Sequence, residues 1–213
     1  MTHIITVTPN PAIDLSTSVS KLEPFSKLRC TPPLRDPGGG GINVARVIKR
    51  MGGDVAAIYP AGGSTGQLLR ALMDREGVRS IAMPTMEETR EDFTIFDEAT
   101  RQQYRFVLPG ARLREEEWQE CLDELASLDP KPNFIVASGS LPPGVTEDFF
   151  GRVASGAKAS GAKVVVDTSG PALKAALLEG VFLIKPNLRE FRELTGVLSP
   201  YTAIVALLSA ISP

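Results

Sequence analysis

Short runs of β-branched and aliphatic residues alternate along this chain with longer stretches whose apolar side chains recur every third or fourth position. Residues 3–8 (His-Ile-Ile-Thr-Val-Thr) read as a buried strand, followed by strands at Asp54–Ala61, Val78–Met83, 133–138, 163–167 and 181–185. Helical periodicity predicts helices over 66–76, 114–126, 146–159 and 171–179. A further helix begins near Ile42, with an apolar stripe of Ile42, Ala45, Val47, Ile48 and Met51, and Gly52-Gly53 ends it. Alternation of this kind predicts an α/β fold: a doubly wound, mostly parallel sheet with helices on both faces. Two stretches break the rhythm. Residues 15–36 are short alternating pieces cut by Pro24, Pro32 and Pro33, and 89–108 read as a hairpin turning near Glu98–Arg101. They are predicted to form a small β lid above the sheet's ligand edge.

Candidate chemistry gathers where the strands end, the place where open α/β sheets bind ligands. Asp14 follows the rigid turn Pro9-Asn10-Pro11-Ala12-Ile13. Its carboxylate can accept hydrogen bonds from two sugar hydroxyls, or it can cap the turn. Asp36-Pro37 leads into Gly38-Gly39-Gly40-Gly41, four residues whose backbone a ligand can approach closely. A glycine loop feeding a helix start presents free N–H groups and the positive end of the helix dipole, and Asn43 adds a side-chain donor and acceptor. This is neither a dinucleotide fingerprint, because Asn43 stands where the third glycine belongs, nor a P-loop, because no Gly-Lys pair occurs. In Gly62–Gly66, Ser64 or Thr65 reads as an N-cap rather than a catalyst. If the 89–108 hairpin has a two-residue loop, Arg90 and Arg105 share one face, as a phosphate clamp or as a solvated pair.

Composition narrows the choice. With 213 residues, 43% of them hydrophobic, the chain can bury a substantial core, and a net charge of −2 without like-charge blocks argues against nucleic acid and membrane surfaces. Cys30 and Cys121 have no metal-ligand spacing and fit a reducing compartment. With His3 the single histidine, a histidine-based triad would need that near-terminal residue, and the composition argues against a zinc site. The start Met-Thr-His-Ile-Ile lacks a signal-peptide pattern, so a cytoplasmic protein is expected. Leu194–Pro213 carries no charge, and its nearly all-apolar part, Tyr201–Ile211, is too short to span a bilayer. It reads as a buried helix or as sequence foreign to the fold.

Pro9–Asp14, Gly38–Asn43, Ser138-Gly139-Ser140-Leu141-Pro142, Asp167-Thr168-Ser169-Gly170 and Lys185-Pro186-Asn187-x-x-Glu190 occur in one order and spacing. Together they resemble the PfkB branch of the ribokinase-like sugar kinases, over residues 1 to about 195. Lys27-Leu28-Arg29-Cys30-Thr31, Pro37–Arg46 and Gln103-Tyr104-Arg105-Phe106-Val107 narrow the resemblance to the minor bacterial ATP-dependent members that act on fructose 6-phosphate. Kinases of fructose 1-phosphate and tagatose 6-phosphate usually carry Lys where Gly40 stands.

The resemblance implies a ribokinase-like core over 1–193 with a lid formed by about 15–36 and 89–108. It implies that Asp14 holds sugar hydroxyls and that Gly39, Gly40 and Asn43 line the sugar site. Arg90 and Arg105, with Ser138 or Ser140, would handle the 6-phosphate, and Lys27 would reach that region or a neighbouring subunit's. Lys185, Asn187 and Glu190 would serve the nucleotide, with Glu190 holding Mg²⁺ through water. ATP, Mg²⁺, a sugar phosphate and a homodimer paired through the lid are the implied cofactors and partners.

One feature departs from the family pattern. The Gly-Ala-Gly-Asp motif that carries the anion hole and the catalytic base does not occur in the 213 residues, and its loss removes the general base. A C-terminally truncated or shifted-frame end at 194–213 is therefore expected. The alternatives are a non-catalytic sugar-phosphate-binding or dimerising remnant, or a kinase for another phosphosugar.

Overall fold

The structure, a computed structural model, describes residues 3–196. Its main sheet contains β1 (His3–Val7), β4 (Asp54–Gly62), β5 (Arg79–Thr85), β8 (Phe134–Ser138), β9 (Lys163–Asp167) and β10 (Leu183–Ile184). These lie in the order β10-β9-β8-β1-β4-β5 and every neighbouring pair is parallel. The chain winds outward from β1 through β4 to β5, then restarts beside β1 at β8 and winds the other way. The point of reversal is therefore beside β1.

Helices α1 (Gly40–Arg50) and α2 (Gly63–Arg75) cover one face. The other face carries α3 (Glu115–Ser127), α4 (Phe149–Ser160) and α5 (Gly170–Glu179), with α6 (Leu188–Thr195) against α5. Strand alternation divides the core accordingly. Val55, Ala57 and Tyr59 of β4 pack with Ile42, Ala45, Leu69 and Met73, whereas Ala56 and Ile58 face Trp118, Phe149, Phe150 and Val153. A strand covered on both sides reads as a continuous apolar run, and β4 is buried from Val55 to Gly62.

A second sheet stands at the carboxyl ends of these strands. It is ordered β3-β2-β6-β7: β2 (Ala12–Val19) runs parallel to β6 (Arg90–Asp97), while β3 (Leu34–Gly38) and β7 (Gln102–Phe106) are antiparallel to their neighbours. The lid is therefore a mixed sheet, and β2 already begins at Ala12. Residues 20–33 are loop apart from one bridge between Val19 and Cys30.

Several expected boundaries move for identifiable reasons. The stripe of α1 that meets the sheet is Ile42, Ala45 and Ile48, leaving Val47 and Met51 52% and 82% exposed. Helix α2 starts at Gly63 rather than 66 and is capped neither by Ser64 nor by Thr65. Instead Glu88 Oε1 accepts from Ser64 Oγ, Thr65 N and Thr65 Oγ1 at 2.5, 2.9 and 3.0 Å. Helix α4 starts only at Phe149, after the Pro142-Pro143-Gly144 turn. Strand β10 shrinks to the two residues Leu183–Ile184, at one edge of the sheet. Helix α6 runs to Thr195 and Gly196 caps it, so the first three residues of the charge-free tail continue the fold. Residues 197–213 lie outside the described ones. No helix among the described residues is long and apolar enough to cross a membrane.

Candidate active site

The four glycines are spent on close approach. A Cβ on Gly38 would lie 2.6 Å from Asp14 Cγ, one on Gly40 2.2 Å from Ser138 Oγ, and one on Gly41 2.5 Å from Thr8 Oγ1. Gly39, with φ 117°, holds a conformation that side chains resist and forms the N-cap of α1. The loop thus fills the corner between the ends of β1 and β8 and touches the first lid strand. No side chain caps α1 and no acidic residue lies in its first turn. Its first N–H groups remain for a ligand, whereas the matching end of α2 is plugged by Glu88.

Asp14 lies on the lid face that also carries Asp36, Asp92 and Arg90, because Asp14 pairs with Asp36 and with Asp92 while Ala12 pairs with Arg90. The β6–β7 loop has four residues rather than two, but both lengths centre on the same point. Thr94 therefore still pairs with Arg105, and Arg90 and Arg105 share that face. Burial, and after it the Asp92 carboxylate, pushes the Asp14 carboxyl above the usual carboxylate range; Arg105 and Arg90 pull it back, and Asp36 adds to the push.

The two arginines differ in what they hold. Arg90, 12% exposed, donates to the carbonyls of Pro11, Leu108 and Asn10 at 3.4, 2.9 and 3.3 Å and pairs with Asp92 at 3.4 Å. It clamps the β1–β2 turn to the lid. Arg105 is exposed, and its guanidinium makes no hydrogen bond or ion pair among the described residues. Lys27 also stands exposed, in the loop after β2.

The strand ends form a connected polar row. Asn10 Nδ2 donates to Ser140 Oγ at 3.0 Å. Ser138, 2% exposed, donates to Asp167 Oδ2 at 3.1 Å, and Lys185 Nζ pairs with Asp167 Oδ1 at 3.2 Å. Ser138 is therefore committed beneath the glycine loop, while Ser140 is exposed. Beyond β10, Asn187 caps α6 by accepting from Arg189 N and Glu190 N at 2.9 and 3.0 Å, and Glu190 Oε2 accepts from Asn187 N at 2.9 Å. A groove of about 440 Å³ opens elsewhere, between α3 and α4.

The sequence pattern of pfkB family carbohydrate kinases matches residues 8–212. The chain belongs to the pfkB family. ATP-dependent 6-phosphofructokinase isozyme 2 of Mycobacterium tuberculosis is 50% identical over 194 residues, 91% of this chain and 57% of that protein. The protein of the same name from Escherichia coli K12 is 42% identical over 197 residues, 92% of this chain and 63% of that one. Phosphofructokinase-2 from Escherichia coli in complex with fructose-6-phosphate matches with a TM-score of 0.91 at 39% identity, covering 99% of this chain and 70% of that one. The chain thus spans 57% and 63% of the length of the two curated relatives.

Within this pfkB fold, the structure brings Asp14, Gly39, Gly40, Ser138 and Ser140 around the switch point and sets Lys185, Asn187 and Glu190 along the neighbouring strand ends. It also adds residues that the sequence reading leaves without a role. Thr8, fully buried, has a hydroxyl without a partner beside Gly41. Asn10 ties Arg90 to Ser140, and Asp167 ties Ser138 to Lys185. Arg46 joins the glycine loop to α2. Asn10, Arg46 and Asp167 lie inside the family motifs, so their positions carried a signal; Arg46 and Thr8 act through partners that only the fold supplies.

Proposed function

We propose that this chain belongs to an ATP-dependent phosphotransferase that converts fructose 6-phosphate to fructose 1,6-bisphosphate, and that the described residues supply its sugar-phosphate side. The observation that carries this reading is the glycine loop, packed without side chains against Asp14 and Ser138 at the open end of α1. Asp14 and Asn43 would read hydroxyls, and the α1 N–H groups behind Gly39 and Gly40 would hold an oxygen. Arg105, Ser140 and Lys27 would meet the phosphate, with Arg90 fixing the turn beneath them and Ser138 supporting the loop. Gly40 would favour fructose 6-phosphate over fructose 1-phosphate and tagatose 6-phosphate by resemblance, since kinases of those sugars usually carry lysine there, and a Cβ at this position would lie 2.2 Å from Ser138 Oγ. The relatives' names point the same way for two of the proteins, although a 1-phosphofructokinase and a tagatose-6-phosphate kinase are also similar, at 34% and 30% identity.

On the nucleotide side, Lys185 would meet ATP phosphates. No three acidic, histidine or cysteine side chains converge on a metal position among the described residues. Mg²⁺ in phosphoryl transfer is commonly held by one or two carboxylates together with water and substrate phosphates. The second oxygen of Glu190, outside the capping box, fits that role. When bound, the ion neutralises charge on the transferring phosphoryl group. A homodimer is part of the proposal, formed through the lid face opposite Asp14, where Leu15, Phe93, Ile95, Tyr104 and Phe106 align. A cytoplasmic setting accords with two free cysteines.

Calorimetry with fructose 6-phosphate, fructose 1-phosphate and tagatose 6-phosphate tests this reading, followed by an assay for bisphosphate with MgATP. Tightest binding of fructose 6-phosphate supports it, and preference for either other sugar, or no uptake of any, overturns it. A second reading is a sugar-phosphate-binding unit without turnover, for which the glycine loop, Asp14 and Ser138 are already gathered. Binding without bisphosphate formation would select that one.

A further inference from the structure

Three aspartates stand abreast on the site face of the lid: Asp14 on β2 lies directly opposite Asp36 on β3 and Asp92 on β6. Like charges so placed repel one another. Each outer aspartate has its own arginine. Arg90 Nη1 lies 3.4 Å from Asp92 Oδ2, and Arg46 Nη2 lies 3.0 Å from Asp36 Oδ1.

Arg46 does not belong to the lid. It lies in α1, one turn beyond Asn43, and its side chain is 13% exposed. Its Nη1 donates to Pro37 O at 2.9 Å and to Asn43 Oδ1 at 3.3 Å. Its Nε and Nη2 reach Glu76 Oε1 at 2.7 and 2.5 Å. Glu76 is the C-cap of α2 and also holds Arg50 at 2.8 Å. An arginine that only tied α1 to α2 would need Glu76 alone. Asp36, Pro37 and Asn43 instead bracket the glycine loop on both sides, so one braced guanidinium fixes both ends of the loop.

We propose that Arg46 is a positioning residue for the ligand site: it neutralises Asp36, leaving Asp14 free to act as an ionised acceptor, and it turns Asn43 so that the amide nitrogen faces the ligand. The inference rests on the sugar-binding reading above for what the ligand is, but not for the hold on Asp14. The charged groups facing Asp14 are Asp36 from β3, Asp92 and Arg90 from β6, and Arg105 from β7. Without the guanidinium, Asp36 is an unpaired charge beside Asp14. Protons then bind Asp14 more readily, and a ligand that needs the carboxylate is lost at mildly acid pH.

The test is a carbon-13 NMR titration of the Asp14 carboxyl in the 213-residue chain without ligand, with Asp14→Asn assigning the signal. Arg46→Met is expected to move the titration upward, and adding Asp36→Asn to bring it back. Arg46→Lys retains the charge but not the fork. It should leave the titration close to that of the unaltered protein while weakening fructose 6-phosphate binding about tenfold at neutral pH through loss of the Asn43 bond. An Asp14 signal unmoved by Arg46→Met, or not restored by Asp36→Asn, overturns the proposal. If Arg46→Met does not fold, Asp36→Asn alone must lower the titration, and no change overturns the proposal equally. A chain whose Asp14 responds as described but takes up no fructose 6-phosphate leaves the hold of Arg46 on Asp14 standing and removes only the sugar reading.

Discussion

Gly40 and Ser138 touch so closely that a single methyl group on the glycine would lie 2.2 Å from the serine oxygen. Ser138 cannot yield freely, because it is buried and donates to Asp167. Gly40→Ala must therefore displace either the loop or β8. Overpacking of this kind costs about 1–3 kcal/mol, and on the proposed function a displaced loop would hold the sugar phosphate less well. A lowered melting temperature with at least about tenfold weaker fructose 6-phosphate binding is expected. Gly40→Ala/Ser138→Gly should recover most of the stability, as read by thermal melts and calorimetry.

Asp14 carries the opposite trade. Its carboxyl is raised above the ordinary value of 3.8, burial being the main cause and Asp92 the next. The folded chain thus binds this proton more tightly than the unfolded chain. The group's contribution to stability is most favourable below the unfolded value, declines as pH rises from there through the raised folded value, and remains unfavourable at neutral pH. Asp14→Asn removes that cost and is expected to raise stability at pH 7, with the gain vanishing in acid. The same change removes a charged acceptor and should weaken sugar-phosphate binding roughly 10- to 100-fold. Melts at several pH values read the first effect, and calorimetry reads the second.

The two cysteines should separate cleanly by reactivity. Burial pushes the Cys121 thiol up to about 12, with Glu120 adding to the effect, whereas Cys30 is exposed. Thiolate is the reactive form. Iodoacetamide at pH 8 is expected to label one thiol per native chain, at Cys30, and a second only in denaturant. Mass spectrometry of the labelled peptides decides it, and rapid native labelling of Cys121 would contradict the packing of α3.

What the sequence could reveal depended on whether a residue's partner was near it in the chain. Alternation and helical period are local, so the parallel sheet and its helices were legible, and Lys163–Asp167 falls as expected. The shared face of Arg90 and Arg105 was also legible, because strand parity depends on where the turn is centred rather than on its length. The start of α2 was not, since the group that satisfies its first N–H groups is Glu88, beyond the following strand. The role of Arg46 is hidden for the same reason, although the residue closes a family motif: Glu76 lies a whole helix away. Nor could a motif say that Arg90 spends its donors on main-chain carbonyls while Arg105 keeps its own.

Asn187 and Glu190 pose the remaining question, because one pair of side chains is asked to cap a helix and to serve a metal-bound nucleotide. The reciprocal bonds at 2.9 and 3.0 Å account fully for the Asn-x-x-Glu spacing as a capping box. A nucleotide role requires something further of the carboxylate, namely its charge. Glu190→Gln separates the two, since a glutamine carbonyl still accepts from Asn187 N but carries no charge. Stability should then change by less than about 0.5 kcal/mol, while Asn187→Ala, which removes the cap itself, costs about 1 kcal/mol. If Glu190 also holds Mg²⁺ through water, Glu190→Gln raises the Mg²⁺ concentration needed for half-maximal ATP binding by about tenfold or more. Thermal melts and nucleotide titrations at varied Mg²⁺ read the two effects separately. An unchanged Mg²⁺ requirement would leave this pair with its helix alone.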